Sequence, residues 1–158
     1  MTMRFLCLAW LLSVSTIATA QTPPPDQSFD ALLKEVEAAQ VQLVSGKPAA
    51  FKALWSHGDD VTLSGGLGGA IAKGWPDVSK RLDWVATQYV DGTRTHQEVA
   101  RYVGQDLAYV VLRETIRFKS PDGGLSVQEL RVTQVFRREG GRWRIVHRHA
   151  DSQVNAVR

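Results

Sequence analysis

Leu107-Ala108-Tyr109-Val110-Val111-Leu112-Arg113-Glu114-Thr115-Ile116-Arg117-Phe118-Lys119 is the stretch on which the fold turns. Ala108, Val110, Leu112, Ile116 and Phe118 recur at every second position, and Glu114 shares their face. That period is the mark of a strand with one buried side. Residues 93–103, 125–138 and 142–150 have the same character. Between these segments lie Gly104-Gln105-Asp106, Pro121-Asp122-Gly123-Gly124 and Glu139-Gly140-Gly141, which suit tight turns. Long consecutive strands joined this way predict an antiparallel meander. Strands of such length must twist and coil, so the sheet is expected to curve.

Upstream of the meander the period changes. Phe29, Leu32, Leu33, Val36, Ala39, Gln40 and Leu43 form one helical stripe, ended by Ser45-Gly46. Pro48 opens a short second helix carrying Phe51, Leu54 and Trp55, and His57-Gly58 ends it. Residues 60–63 predict a short strand. The run Gly65-Gly66-Leu67-Gly68-Gly69 predicts a flexible turn. It lacks the Gly-Lys-Ser/Thr of a phosphate loop and the spacing of a dinucleotide site. Gly74-Trp75-Pro76-Asp77 starts a third helix with Trp75, Val78, Leu82, Val85 and Tyr89 on its buried stripe. Trp84 falls on the opposite side and calls for a second surface. Helices first and a meander afterwards predict an α+β domain: a curved, mostly antiparallel sheet closed by three N-terminal helices.

The 158 residues suit one domain with its own hydrophobic core. Residues 1–20 differ from the rest: Arg4 precedes an apolar run, and Ala18-Thr19-Ala20 supplies small residues for cleavage. This is the pattern of a secretory signal peptide. The expectation is an exported protein, periplasmic or secreted, with no membrane association after cleavage. Residues 21–27 then form a proline-rich linker, 28–152 the domain and 153–158 a tail. Cys7, the single cysteine, leaves with the signal. A mature chain without cysteine has no disulfide, no thiol catalysis and no cysteine-bound metal. The net charge is +3 with signs interspersed, which gives no reason to expect nucleic-acid binding.

A set of short motifs carries a resemblance. They are Leu54-Trp55-Ser56-His57, Asp59-Asp60-Val61-Thr62, Gly74-Trp75, Arg81-Leu82-Asp83-Trp84, Asp106-Leu107-Ala108-Tyr109, Leu130-Arg131-Val132-Thr133 and the closing run from Gly141-Arg142-Trp143 through His147-Arg148-His149 to Asp151. With the order of elements, they make nearly the whole mature chain resemble the nuclear transport factor 2-like superfamily. Within it the chain looks like the SnoaL-like and ketosteroid-isomerase-like branch. The resemblance implies a cone-shaped half-barrel, a conical pocket between sheet and helices, and often a homodimer. Such folds host isomerases, dehydratases, cyclases, binding modules and assembly domains.

Candidate site residues follow from alternation and residue chemistry. Continuing from Trp143 and Ile145, the core face is expected to take His147 and His149, with Arg142, Arg144, Val146 and Arg148 opposite. Two inward imidazoles suit a general acid/base pair or ligand-orienting donors; two rim histidines bonded to neighbours is the plainer alternative. His-x-His is also metal spacing, but zinc needs a third ligand from His57 or Asp60, and no metal is expected. Glu114, alone among apolar residues, is expected to have a raised pKa, or else to pair with Arg131. Asp60 is an acid/base candidate or a turn residue. Trp55, Trp75 and Trp84, with His57 and Arg131, are the candidate ligand-contacting residues. Tyr109 falls opposite Glu114, so the tyrosine-plus-acid pair of a ketosteroid isomerase is missing. The arginines at 137, 138, 142, 144 and 148 are expected on a solvated outer face.

The function these residues suggest is binding of a small hydrophobic molecule, with no cofactor. Acid/base chemistry would then make the domain an isomerase, cyclase or dehydratase. The alternative is a non-catalytic dimerisation or assembly module using Tyr109, Val111 and Thr115 on the outer sheet face.

Overall fold

The computed structural model describes residues 28–152. The signal segment, linker and tail expected at 1–20, 21–27 and 153–158 lie outside the described residues.

Ser28 opens α1 (Phe29–Leu43), its hydroxyl accepting from the Ala31 amide. The helix buries the stripe expected of it, Gln40 included, except that Leu33 is only partly buried. Gly46 reverses the chain with φ of +82°. A single turn, α2 (Ala49–Lys52), buries Phe51. The short strands β1 (Thr62–Ser64) and β2 (Ala72–Lys73) flank the glycine run. Gly74 caps α3 (Trp75–Gln88), and Pro76 sits in its first turn. The meander follows as β3 (Val90–Val103), β4 (Leu107–Lys119), β5 (Leu125–Glu139) and β6 (Arg142–Ser152).

One sheet holds all six strands in the order β2-β1-β6-β5-β4-β3. Only the β1–β6 pairing is parallel. The sheet is curved and unclosed, and the helices cover its inner face. Phe29 meets Phe136 and Trp143 edge-on, which anchors the start of α1 on β5 and β6. At its other end, the Gly92 amide bonds to the Val44 carbonyl at 3.0 Å. A Cβ on Gly92 would stand 2.0 Å from that oxygen, so only glycine lets β3 approach the helix end there.

A bulge in β6 decides which side chains face inward. Phe136 pairs with Ile145 and Val135 with His147, so Val146 has no opposite number. Trp143 and Ile145 are buried, but beyond the bulge Arg148 and Ala150 take the inner face. This corrects the expected orientation of the histidines. His147 is half-buried and His149 exposed, both on the outer side, because one extra residue reverses the alternation. It also moves Arg148 from the outer face to the interior.

Candidate functional site

The inner face of the sheet is apolar except at a few positions, and those positions converge. Glu114 on β4 is 2% exposed. Arg94 on β3 donates to its Oε1 at 2.7 Å, and Arg148 on β6 donates to its Oε2 at 2.6 Å and its Oε1 at 3.2 Å. Strand pairing places Arg94 near Glu114, since Arg94 lies beside Ile116 and His96 beside Glu114, whereas Arg148 reaches Glu114 from further along the sheet. The expected partner, Arg131, is elsewhere. It pairs with Asp151 on the exposed surface at 2.7 Å.

The electrostatics reverse a second expectation. Burial alone would push the Glu114 carboxyl up, as foreseen from its apolar neighbours. The two guanidinium groups outweigh that effect and hold the carboxyl at about 2. Glu114 is therefore ionised at neutral pH and is the counter-ion of a buried cluster. Two cations share one anion, so the cluster carries a net positive charge.

A chamber lies beside this cluster. Leu43, Phe51, Leu63, Leu82, Ile116 and Leu130 form most of its apolar wall, with Leu67 from the glycine-rich turn over it. Gln40, Arg94, Glu114 and Arg148 supply its polar side. Tyr89 also borders it, its hydroxyl donating to Gln128 at 2.9 Å, and burial pushes its phenol up to about 12. On the other side of Gln40 and Arg94, a groove runs between α1 and β3. Gln134 lies at the inner end of that groove, with Val110 and Leu112. His96, Glu98 and Arg101 on β3 face Asp30, Lys34 and Glu37 on α1 across it.

Most of the residues singled out from sequence stand outside this chamber. Trp55 is core, edge-on to Phe51 and bridged to Ile145. Trp75 stacks on His57 at 4.0 Å beside a shallow surface cleft. Trp84 is 41% exposed and covered by the Arg81 guanidinium. Asp60 is held by Arg137 on the surface, and that hydrogen bond draws its carboxyl below its usual value. His147 meets the Thr62 hydroxyl at 2.7 Å; burial, and then His149, lower its pKa. With His57 on Trp75 and Asp60 on Arg137, the histidine pair gains no third ligand. No group of three His, Cys, Asp or Glu residues suited to a metal occurs among the described residues.

Of the candidate residues, the structure thus brings only Glu114 to the chamber. Sequence reasoning missed Arg94, Arg148 and Gln134. Gln40 was placed on the buried stripe of α1 without a role. A polar residue on an apolar stripe was the available signal, and it was legible for Gln40 and Glu114. For Arg148 the bulge concealed it.

A helix-covered, unclosed sheet with a chamber on its inner face defines the nuclear transport factor 2-like class of folds. A superfamily protein of that class from Salmonella enterica serovar Typhimurium superposes with a TM-score of 0.66 at 16% identity, covering 82% of this chain and 96% of that one. A candidate dehydratase of the same class from Streptomyces avermitilis gives 0.66 at 20% identity, over 80% and 99% of the two chains. A candidate calcium/calmodulin-dependent protein kinase type II association domain from Thiobacillus denitrificans gives 0.67 at 20%, over 83% and 99%. Residues 36–154 match the SnoaL-like domain family, and the chain belongs to it. Comparison with curated proteins gives no match.

Proposed function

We propose that this SnoaL-like domain is exported and binds a small hydrophobic molecule in the chamber between the helices and the inner sheet face. One observation carries the proposal: a largely apolar chamber bordered on one side by buried, ordered polar groups. Apolar walls with a few fixed polar atoms are what small-molecule sites require. Export rests on the signal-like pattern of residues 1–20.

Binding is better supported than turnover by isomerisation, cyclisation or dehydration. A general acid or base works best with a pKa near the operating pH. Of the chamber's titratable groups, Glu114 is held at about 2 and Tyr89 at about 12. The histidines proposed for proton transfer lie on the outer face.

Calorimetric titration of the purified protein with 1-hexanol tests the proposal. Saturable binding of one molecule per chain is expected, and Leu130→Phe, which fills the chamber, should abolish it. Absence of saturable binding to the wild-type protein would contradict it.

A second reading, a dimerisation or assembly module, is favoured by a separate observation. Tyr102 and Tyr109 stack at 5.9 Å on the sheet, both exposed, with Val99 exposed three residues before Tyr102 on β3. Association domains occur among the structural neighbours. The two readings use opposite faces of the sheet, so one does not exclude the other.

A further inference from the structure

The molecule proposed above is left open as to its head group, and the polar side of the chamber narrows it. Arg94 is almost wholly buried, with a side chain 3% exposed. Its two terminal nitrogens are used, one on Glu114 and one on the His96 ring at 3.2 Å. Its Nε, also buried, has no hydrogen-bond partner. Gln134 is 1% exposed, and neither its amide nitrogen nor its oxygen is bonded. Gln40 is 3% exposed, and its amide oxygen is unbonded too. Buried polar groups are normally paired, and leaving one unpaired is costly. Gln134, opposite Val110, lies well along the sheet from Arg94, opposite Ile116, whereas Gln40 and Arg94 border the same two spaces. At Arg94 the spare buried N–H describes a subsite for an acceptor.

Charge selects the acceptor. Arg94 and Arg148 carry two positive charges against the one of Glu114. The carboxylates at the mouth of the groove are engaged elsewhere: Asp30 and Glu98 hold Arg101, and Glu37 faces His96. A second anion beside Arg94 would balance the buried cluster and accept from Arg94 Nε. Position fixes the orientation. Gln40 and Arg94 border both the apolar chamber and the α1–β3 groove. A head group at this junction would have its apolar tail in the chamber.

We infer that the ligand is an apolar molecule with a carboxylate head, held by Arg94 at the junction of chamber and groove. The inference rests on the chamber being a ligand site. The amide oxygen of Gln40 suits a hydroxyl next to the carboxylate or a bridging water.

The test compares hexanoate, 1-hexanol and hexylamine by calorimetry on the purified wild-type protein at neutral pH. Hexanoate should bind at least about tenfold more tightly than hexanol, and hexylamine more weakly than either. Arg94→Gln leaves Glu114 and Arg148 as a balanced pair; it should erase the preference for hexanoate over hexanol. If hexanol binds saturably and hexanoate binds no better, the head-group inference falls and the chamber stands. The same holds if the preference survives the Arg94 substitution. If none of the three binds, the chamber reading falls and takes this inference with it.

Discussion

At the scale of single residues, Glu114 matters most. It neutralises one of two buried guanidinium groups, and its removal would leave both without a counter-ion. Breaking a buried pair from one side costs several kcal/mol. Glu114→Gln should therefore lower stability by about 3 kcal/mol, measured by urea unfolding. A loss below about 1 kcal/mol would mean that water already screens the cluster. The same residue predicts a pH dependence. Its folded carboxyl sits at about 2 instead of 4.5. The stability it contributes is fully present above pH 4.5 and is lost as the pH falls from there toward 2. Wild-type protein should lose stability across that interval by about 3 kcal/mol more than Glu114→Gln does.

At the scale of elements, much was written plainly in the sequence. Three helices, a short strand leading into a glycine-rich turn and four long strands follow from period and punctuation, and all are found. What alternation alone misses is the bulge at Val146. Counting by twos from Trp143 sends His147 and His149 inward, and nothing in Arg144-Ile145-Val146-His147 marks an extra residue. Bulge placement is settled by the partner strand, where Phe136 and Gln134 must both face the core. That is a tertiary decision, so the inward Arg148 and its link to Glu114 could not be seen from the strand itself. The tryptophans mislead for a different reason. Composition shows that indoles need burial or a partner, but not whether core, histidine or arginine supplies it. At the junction of α1 and β3, Gly92 is required by a backbone approach. Gly92→Ala should cost about 2–3 kcal/mol in chemical unfolding, since the added Cβ meets a carbonyl that the helix end holds in place. A neutral effect would show that β3 can move away from α1 freely.

At the scale of the whole molecule, the sheet separates two surfaces of different character. The inner one holds the chamber and the charged cluster. The outer one exposes Tyr102, Tyr109 and Val127. If that outer face associates with a second copy, sedimentation velocity should show a dimer, and Tyr109→Lys should shift it toward monomer without altering hexanol affinity. A wild-type monomer at all micromolar concentrations would remove the assembly reading. Fold membership does not choose between these uses, because the structural neighbours carry names of different kinds, from dehydratase to association domain.

The central claim is that the chamber under the helices is where a ligand sits. Isotope-edited nuclear Overhauser spectroscopy of methyl-labelled protein with 1-hexanol tests it most directly. Cross-peaks are predicted from the hexanol chain to the methyl groups of Leu43, Leu82, Ile116 and Leu130, all of which line the chamber. Cross-peaks confined to the exposed methyl groups of Val99, Leu125 and Val127, or none at all, would contradict it.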